Sequence, residues 1–199
     1  MLKRAFDIVF SAGWLIGFSP LLIVVAILVR LKLGSPVLFV QERPGLRAKP
    51  FRMVKFRTMT DARGPDGELL PDEQRLTPFG KFLRSSTLDE FPEMWNVLLG
   101  DMSVVGPRPL LMRYVPRYDA FQARRMEVKP GVTGWAQVNG RNLLTWEEKF
   151  ALDVWYVDRR TFWLDMKIVV RTFFKVFART GINSGEGKTM EEFWGSNIN

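Results

Sequence analysis

The chain has 199 residues, 47% hydrophobic and 25% charged, with a formal net charge of +8, enough for one domain with a sound core and a small appendage. It has no His and no Cys, which excludes Ser-His-Asp and Cys-His catalysis, Cys/His zinc sites and disulfides. Chemistry therefore falls to carboxylates, hydroxyls, Lys, Arg and a hard metal ion, and the basic surface suits nucleic acid, anionic lipid headgroups or phosphorylated substrates.

The first predicted element is apolar. From Ile8 to Val29 no residue is charged, and a straight helix over that run would be roughly 33 Å long at about 1.5 Å per residue, enough to cross a bilayer core. Ser19-Pro20 interrupts it. Pro20 has no N–H for the carbonyl of Ile16, and its ring disfavours helical geometry at Ser19. The arms left on either side, about 16 Å and about 14 Å, are each too short to cross alone. A Ser side chain can satisfy a freed backbone group within a membrane helix, so the break admits both a kinked span and a helix-break-helix hairpin. Lys3 and Arg4 precede the segment and Arg30 and Lys32 follow it. Basic flanks prefer the cytoplasmic side, and a hairpin satisfies both ends where a single span cannot.

Beyond Gly34-Ser35-Pro36, Val37 to Val40 and Phe51 to Met59 read as strands, with Arg52 off the apolar face. Asp61 to Leu76 reads as a polar exposed loop whose Asp61, Asp66 and Asp72 are solvated, and Phe79 to Arg84 as a short helix. Thr87-x-x-Glu90 ahead of an apolar run is a capping-box signature. It predicts a helix from Leu88 to Leu99 that stops at Gly100. Ser103 to Val105 is a short strand, Tyr118 to Glu127 a helix, and Lys129 to Arg141 a long turn-rich segment. Thr145 is a candidate N-cap for an amphipathic helix to Val157. Phe162 to Arg179 is a second such helix, with Lys167, Arg171 and Lys175 opposite Trp163, Ile168, Val170, Phe173, Phe174 and Phe177. It suits either a surface helix packed on the core or one lying in a membrane interface. The tail after Gly181 is expected to be loosely ordered.

The chemistry-bearing residues cluster around Asp89 and Glu90. An acidic pair at a helix start ordinarily serves capping and the helix dipole. Here two abutting carboxylates also invite a cation, free N–H groups invite a phosphate, and Arg84 and Arg108 are near in sequence. Carboxylates, amides and guanidinium together suit Mg²⁺-assisted phosphoryl transfer. Arg108 lies between Pro107 and Pro109, whose fixed φ angles restrict the backbone, and Arg grips phosphate oxygens as a planar fork. Lys55, Arg57, Arg43, Lys129 and Arg141 are further candidate anion binders, although each taken alone reads first as an ordinary surface charge.

Five segments in this order resemble the bacterial sugar transferases: Ser19-Pro20 in its apolar setting, Lys55-Phe56-Arg57-Thr58-Met59, Leu88-Asp89-Glu90, Gly106-Pro107-Arg108-Pro109, and Lys129-Pro130-Gly131-Val132-Thr133-Gly134-Trp135. Within that family the chain looks like the small monotopic phosphoglycosyl transferases. The resemblance implies an α+β fold, with a re-entrant membrane helix pair over 1–33 and a cytosolic-face catalytic domain with interfacial helices over 34–199. It implies transfer of a sugar-1-phosphate from a UDP-sugar to polyprenyl (undecaprenyl) phosphate with release of UMP, as the first membrane step of glycoconjugate assembly. By analogy Asp89 is the nucleophile of a covalent phosphosugar intermediate, and Asp89 and Glu90 hold Mg²⁺. Arg108, Lys55, Arg57, Arg84 and Arg141 bind phosphate. The implied partners are UDP-sugar, the lipid phosphate, phospholipid and downstream glycosyltransferases, without nucleic acid, on the cytoplasmic face of a bacterial inner membrane. Two other readings compete: a non-catalytic basic membrane module binding anionic lipid or nucleic acid, and a hydrolase of nucleotide-sugar diphosphates.

Overall fold

The computed structural model describes residues 1–140, 144–177 and 192–195; Arg141 and the predicted loose tail from 182 to 191 lie outside them. Helix and strand are mixed. The chain begins with α1 (Leu2–Gly17) and α2 (Ser19–Leu33), joined at Phe18 and bent by 62°. Among the described residues no single helix is long and apolar enough to cross a membrane; only the bent pair together reaches that length. The Ser19 hydroxyl donates to the Ile16 carbonyl at 2.7 Å, which gives a partner to the group that Pro20 cannot serve. The pair is open and not a closed antiparallel hairpin.

Both arms return to the globular body. Along α1, Phe6, Phe10, Trp14 and Leu15 pack on the main core of Met53, Met94, Val97, Val104, Tyr156 and Ile168. Along α2, Val25, Val29 and Leu33 pack with Phe56 and Leu83. The basic residues in the first turn of α1 are engaged by the body. Lys3 donates to the Val105 carbonyl at 3.0 Å and pairs with Asp165 at 2.6 Å. Arg4 donates to the Val97 and Leu98 carbonyls at 2.6 and 2.8 Å, at the end of a helix whose last carbonyls have no intrahelical donor. Buried Asp7 accepts from the Ser103 hydroxyl and the Val104 amide at 3.0 and 2.9 Å. Outward, Val9, Ile16, Ile23, Val24, Ile27 and Leu31 leave an exposed apolar surface.

Strands β1 (Leu38–Pro44) and β2 (Pro50–Phe56) form an antiparallel ribbon, with Leu38 opposite Phe56 and Pro44 opposite Pro50. As expected from the alternation, Arg52 is exposed between buried Phe51 and Met53. The polar loop carries a short helix α3 (Asp72–Arg75), and α4 (Pro78–Ser85) follows. Next come α5 (Glu93–Leu99), β3 (Ser103–Val105) and α6 (Ala120–Ala123), the last continued by a 3₁₀ turn to Glu127. The segment read as turns from Lys129 onward is in fact ordered into β4 (Gly131–Thr133), parallel to β3, and α7 (Trp135–Asn139). The helices α8 (Trp146–Arg159) and α9 (Phe162–Phe177) complete the described body. Thr145 caps α8 in a full capping box with Glu148. On α9, Ile168 is buried, whereas Trp163, Val170 and Phe174 are more than half exposed, so the helix both packs on the core and shows apolar side chains outward.

Candidate active site

The predicted continuous helix from Leu88 does not form. Pro92 has no N–H to give the Leu88 carbonyl, which instead accepts from Phe91 at 3.3 Å in a 3₁₀ turn over Leu88–Glu90, and α5 starts afresh at Glu93. Thr87 is no cap. It adopts a left-handed φ of 61° with no side-chain capping bond, a conformation that costs a β-branched residue roughly 1–3 kcal/mol. The end of the helix matches its reading, because Gly100 takes the left-handed conformation.

This strained turn presents Asp89 and Glu90 differently. Glu90 is gripped by Arg108 through both guanidinium nitrogens and both carboxylate oxygens, a bidentate pairing. Asp89 is 5% exposed, and no hydrogen bond to its carboxylate is found among the described residues. Burial, then the Glu90 charge, pushes its carboxyl up to about 6, against the pull of Lys55, Arg108 and Arg84.

Arg108 is fixed from two directions. Ahead of it, Gly106 donates to the Thr133 carbonyl at 2.9 Å and Gly131 donates to the Pro107 carbonyl at 3.0 Å. These backbones are so close that a Cβ on Gly131 would lie 2.0 Å from the Gly106 nitrogen, and one on Gly134 2.2 Å from its oxygen. The glycines of the two recognised motifs therefore interlock. Behind it, Arg125 donates to the Arg108 carbonyl at 2.7 Å while forming a buried ion pair with Asp153 at 2.7 Å. Arg125 and Asp153 lie 28 residues apart, so no local pattern in the sequence pairs them.

Lys55 reaches the cluster from β2. Asn96 of α5 bonds the Val54 amide at 3.0 Å and the Arg52 carbonyl at 2.8 Å, acting as a strand partner that holds β2 against α5. Burial lowers the Lys55 ammonium, and Glu90 opposes that shift. Arg84 is oriented by donating to the Thr58 hydroxyl at 3.0 Å. The approach of α4 to Thr58 requires glycine at position 80, where a Cβ would sit 1.8 Å from the Thr58 carbonyl.

Two further groups join. Glu93, absent from the sequence reading, is buried with Oε1 unpartnered among the described residues, and burial and Glu90 raise its carboxyl. The Asp89-Glu90-x-x-Glu93 spacing was the available signal, hidden because Pro92 resets the helix. Arg43 lies within electrostatic reach of Arg108, Glu93 and Glu90, and burial lowers its guanidinium. Two candidates lie elsewhere. Arg57 donates to the Ser35 carbonyl at 3.0 Å and pairs with Asp61 at 2.8 Å, so it ties the Asp61 loop down, while Asp61 stays exposed as expected. Lys129 lies by Gly100 and Arg4, at the end of α5.

The site borders the helix pair. Phe91 packs edge-on against Trp14 at 4.9 Å and Phe18 at 5.5 Å. Beside it opens a mostly apolar cavity of about 330 Å³, lined by Phe10, Trp14, Phe18, Glu90, Phe91 and Val169 among others. Glu90 thus lies on the boundary between a charged cluster and an apolar one.

For a hard cation, no group of three or more carboxylates poised as ligands occurs among the described residues. Mg²⁺ commonly takes one or two protein carboxylates and completes its shell with water and substrate phosphate. Asp89 fits that pattern. Glu90 accepts one contact from Arg108 on each oxygen, and a carboxylate oxygen has a second lone pair with which to reach a shared cation.

The family model described as bacterial sugar transferase matches residues 1–179. The chain belongs to the bacterial sugar transferase family. It is 55% identical over 196 residues to the protein named Uncharacterized sugar transferase EpsL of Bacillus subtilis (strain 168), covering 98% of this chain and 97% of that one. It is 41% identical over 185 residues to a UDP-glucose:undecaprenyl-phosphate glucose-1-phosphate transferase of Klebsiella pneumoniae. A protein of the same name from Escherichia coli (strain K12) is 39% identical over 188 residues. These matches cover 88% and 89% of this chain but only 40% of either relative.

Proposed function

We propose that this bacterial sugar transferase moves a sugar-1-phosphate from a UDP-sugar to undecaprenyl phosphate, releasing UMP. The observation that carries the reading is the contrast at one turn: Glu90 is clasped by Arg108 while neighbouring Asp89 has no hydrogen-bond partner among the described residues. An unengaged carboxylate beside a fixed guanidinium suits a nucleophile facing a phosphate. The Asp89 carboxylate attacks the sugar-bearing phosphorus, the bond to the bridging oxygen breaks, and UMP leaves with the electron pair. The lipid phosphate then attacks the same phosphorus and restores Asp89. Being already anionic, that acceptor needs no general base, which is how a chain without His runs the reaction.

Arg108, with Lys55, Arg43 and Arg84 around it, neutralises phosphate charge that builds in the transition state. Mg²⁺, held by Asp89 with a contribution from Glu90, would supply further charge neutralisation on the diphosphate. Arg57 is left out of this set, and Arg141 keeps its phosphate-binding role only by resemblance.

The helix pair enters and leaves one leaflet from the cytoplasmic face of the inner membrane, residues 1–33 forming the anchor. Support comes from the return of both arms to one body and from the Phe91 contact with Trp14 and Phe18, which joins the Asp89 turn to the helix pair. In this reading α9 lies in the interface, to which exposed Trp163 and Phe174 are suited. The cavity bordered by Glu90 then receives the first isoprene units of the acceptor.

The deciding experiment is a UMP-release screen over UDP-sugars in nanodiscs, with and without undecaprenyl phosphate. Lipid-dependent release that Asp89→Asn abolishes, together with its trapped phosphosugar adduct, is expected. Equal turnover without the lipid would point to a hydrolase, and an adduct surviving in Asp89→Asn would remove Asp89 from the mechanism.

A further inference from the structure

The family match ends at residue 179, yet residues 192–195 dock back onto the body beside the site. Three successive side chains are held in different ways. Glu192 bridges Arg113 at 3.1 Å and Arg117 at 2.9 Å. Phe193 is 2% exposed, its ring 5.0 Å from Phe150, 5.5 Å from Trp146 and 5.9 Å from Tyr114. Trp194 lies under the Arg117 guanidinium at 4.4 Å, and Arg117 also donates to the Phe193 carbonyl at 2.5 Å. An aromatic anchor in an aromatic cage, flanked by an acidic clamp and a cation–π contact, is the chemistry of a specifically seated peptide.

The cage is tied to Arg108 by two routes. Leu110 and Leu111, directly after Arg108-Pro109, pack on the Tyr114, Phe150 and Phe193 cluster. Tyr118 and Phe150, both touching Phe193, also carry the Arg125 guanidinium, and Arg125 holds the Arg108 carbonyl. From these contacts we infer that Glu192–Trp194 is an intramolecular strap, with Phe193 a positioning residue that fixes the Arg108 loop from behind. Without Phe193 the loop loses the packing under Leu110 and Leu111, and the guanidinium is freer to leave its bearing on Glu90. Misplacement of a charge-stabilising group by about 1 Å costs on the order of 100-fold in rate, so this small contact acts at a distance.

The turnover readout rests on the transferase reading; a second readout does not. In the full chain in nanodiscs, Phe193→Ala is expected to lower kcat/KM for UMP release by roughly 10–100-fold. Phe193→Leu, which refills part of the cage, recovers most of it. Independently of turnover, amide hydrogen exchange over residues 107–118 should quicken in Phe193→Ala while that of β1 and β2 does not change. If Phe193→Ala fails to fold, the surface pair Glu192→Gln with Trp194→Ala releases the strap with the cage intact, and the same two effects are expected. A released strap, shown by proteolysis after residue 177, with kcat/KM within twofold of wild type and unchanged exchange over 107–118 overturns the inference. A wild-type chain that releases no UMP from any UDP-sugar sinks the transferase reading instead, and exchange over 107–118 then decides the strap by itself.

Discussion

Asp89→Asn tests whether the aspartate is kept for chemistry at the expense of stability. The carboxyl is buried, and its pKa rises from 3.8 to about 6. One unit corresponds to 1.36 kcal/mol of difference between protonation states, so ionised Asp89 costs the fold up to about 3 kcal/mol at pH 7. The sign follows from linkage: a native carboxyl with a raised pKa binds its proton more tightly than the unfolded chain does. The Asp89 contribution to stability is therefore full below about pH 4, is lost as pH rises through about 6, and stays absent above it. Asn has nearly the same shape and no charge. The variant should gain about 1–3 kcal/mol at pH 7, a rise of roughly 2–4 °C in Tm per kcal/mol for a chain of this size, and should lose that advantage near pH 4. Differential scanning fluorimetry in nanodiscs from pH 4 to 8 reads this directly, beside UMP release, which should vanish. A variant less stable than wild type at pH 7 would show that the Asp89 charge holds the fold together, and the reasoning about a strained nucleophile would fail.

Three other outcomes are expected. UMP release should climb between pH 5 and 7 as Asp89 loses its proton, and a flat profile across that window counts against its ionised form as the attacking group. Arg108→Lys, which cannot reproduce the two-pronged grip on Glu90, should lower kcat by about 100-fold or more; Arg57→Lys, tethered to Ser35 and Asp61, should change kcat/KM less than threefold, and equal losses would erase the distinction drawn between them. Single cysteines replacing exposed Leu2 and Leu31 should label from the same face of sealed vesicles, whereas opposite accessibility would establish a true span.

Local chemistry was legible in the sequence because it depends on neighbours. Ser19 next to Pro20 contains both the lost hydrogen bond and its replacement. Thr145 and Glu148 form their box within one turn, and Gly100 ends its helix through a conformation glycine adopts freely. The same kind of reading overreached at Thr87-x-x-Glu90. The pattern of a cap was there, but Pro92 broke the helix that it would have capped, and Arg108, from 18 residues away, took the Glu90 side chain.

Composition and motif order determined which chemistry was open: no imidazole or thiol, an acidic pair, a Pro-bracketed arginine and an interrupted apolar run. Only the tertiary structure divided the charges by task. It turned Lys3, Arg4 and Asp7 into fasteners for α1, sent Arg57 to a loop, and drew Glu93 and Arg43 toward the centre. Burial and Coulomb interaction act through space, so a side chain's part is settled by what folding brings beside it.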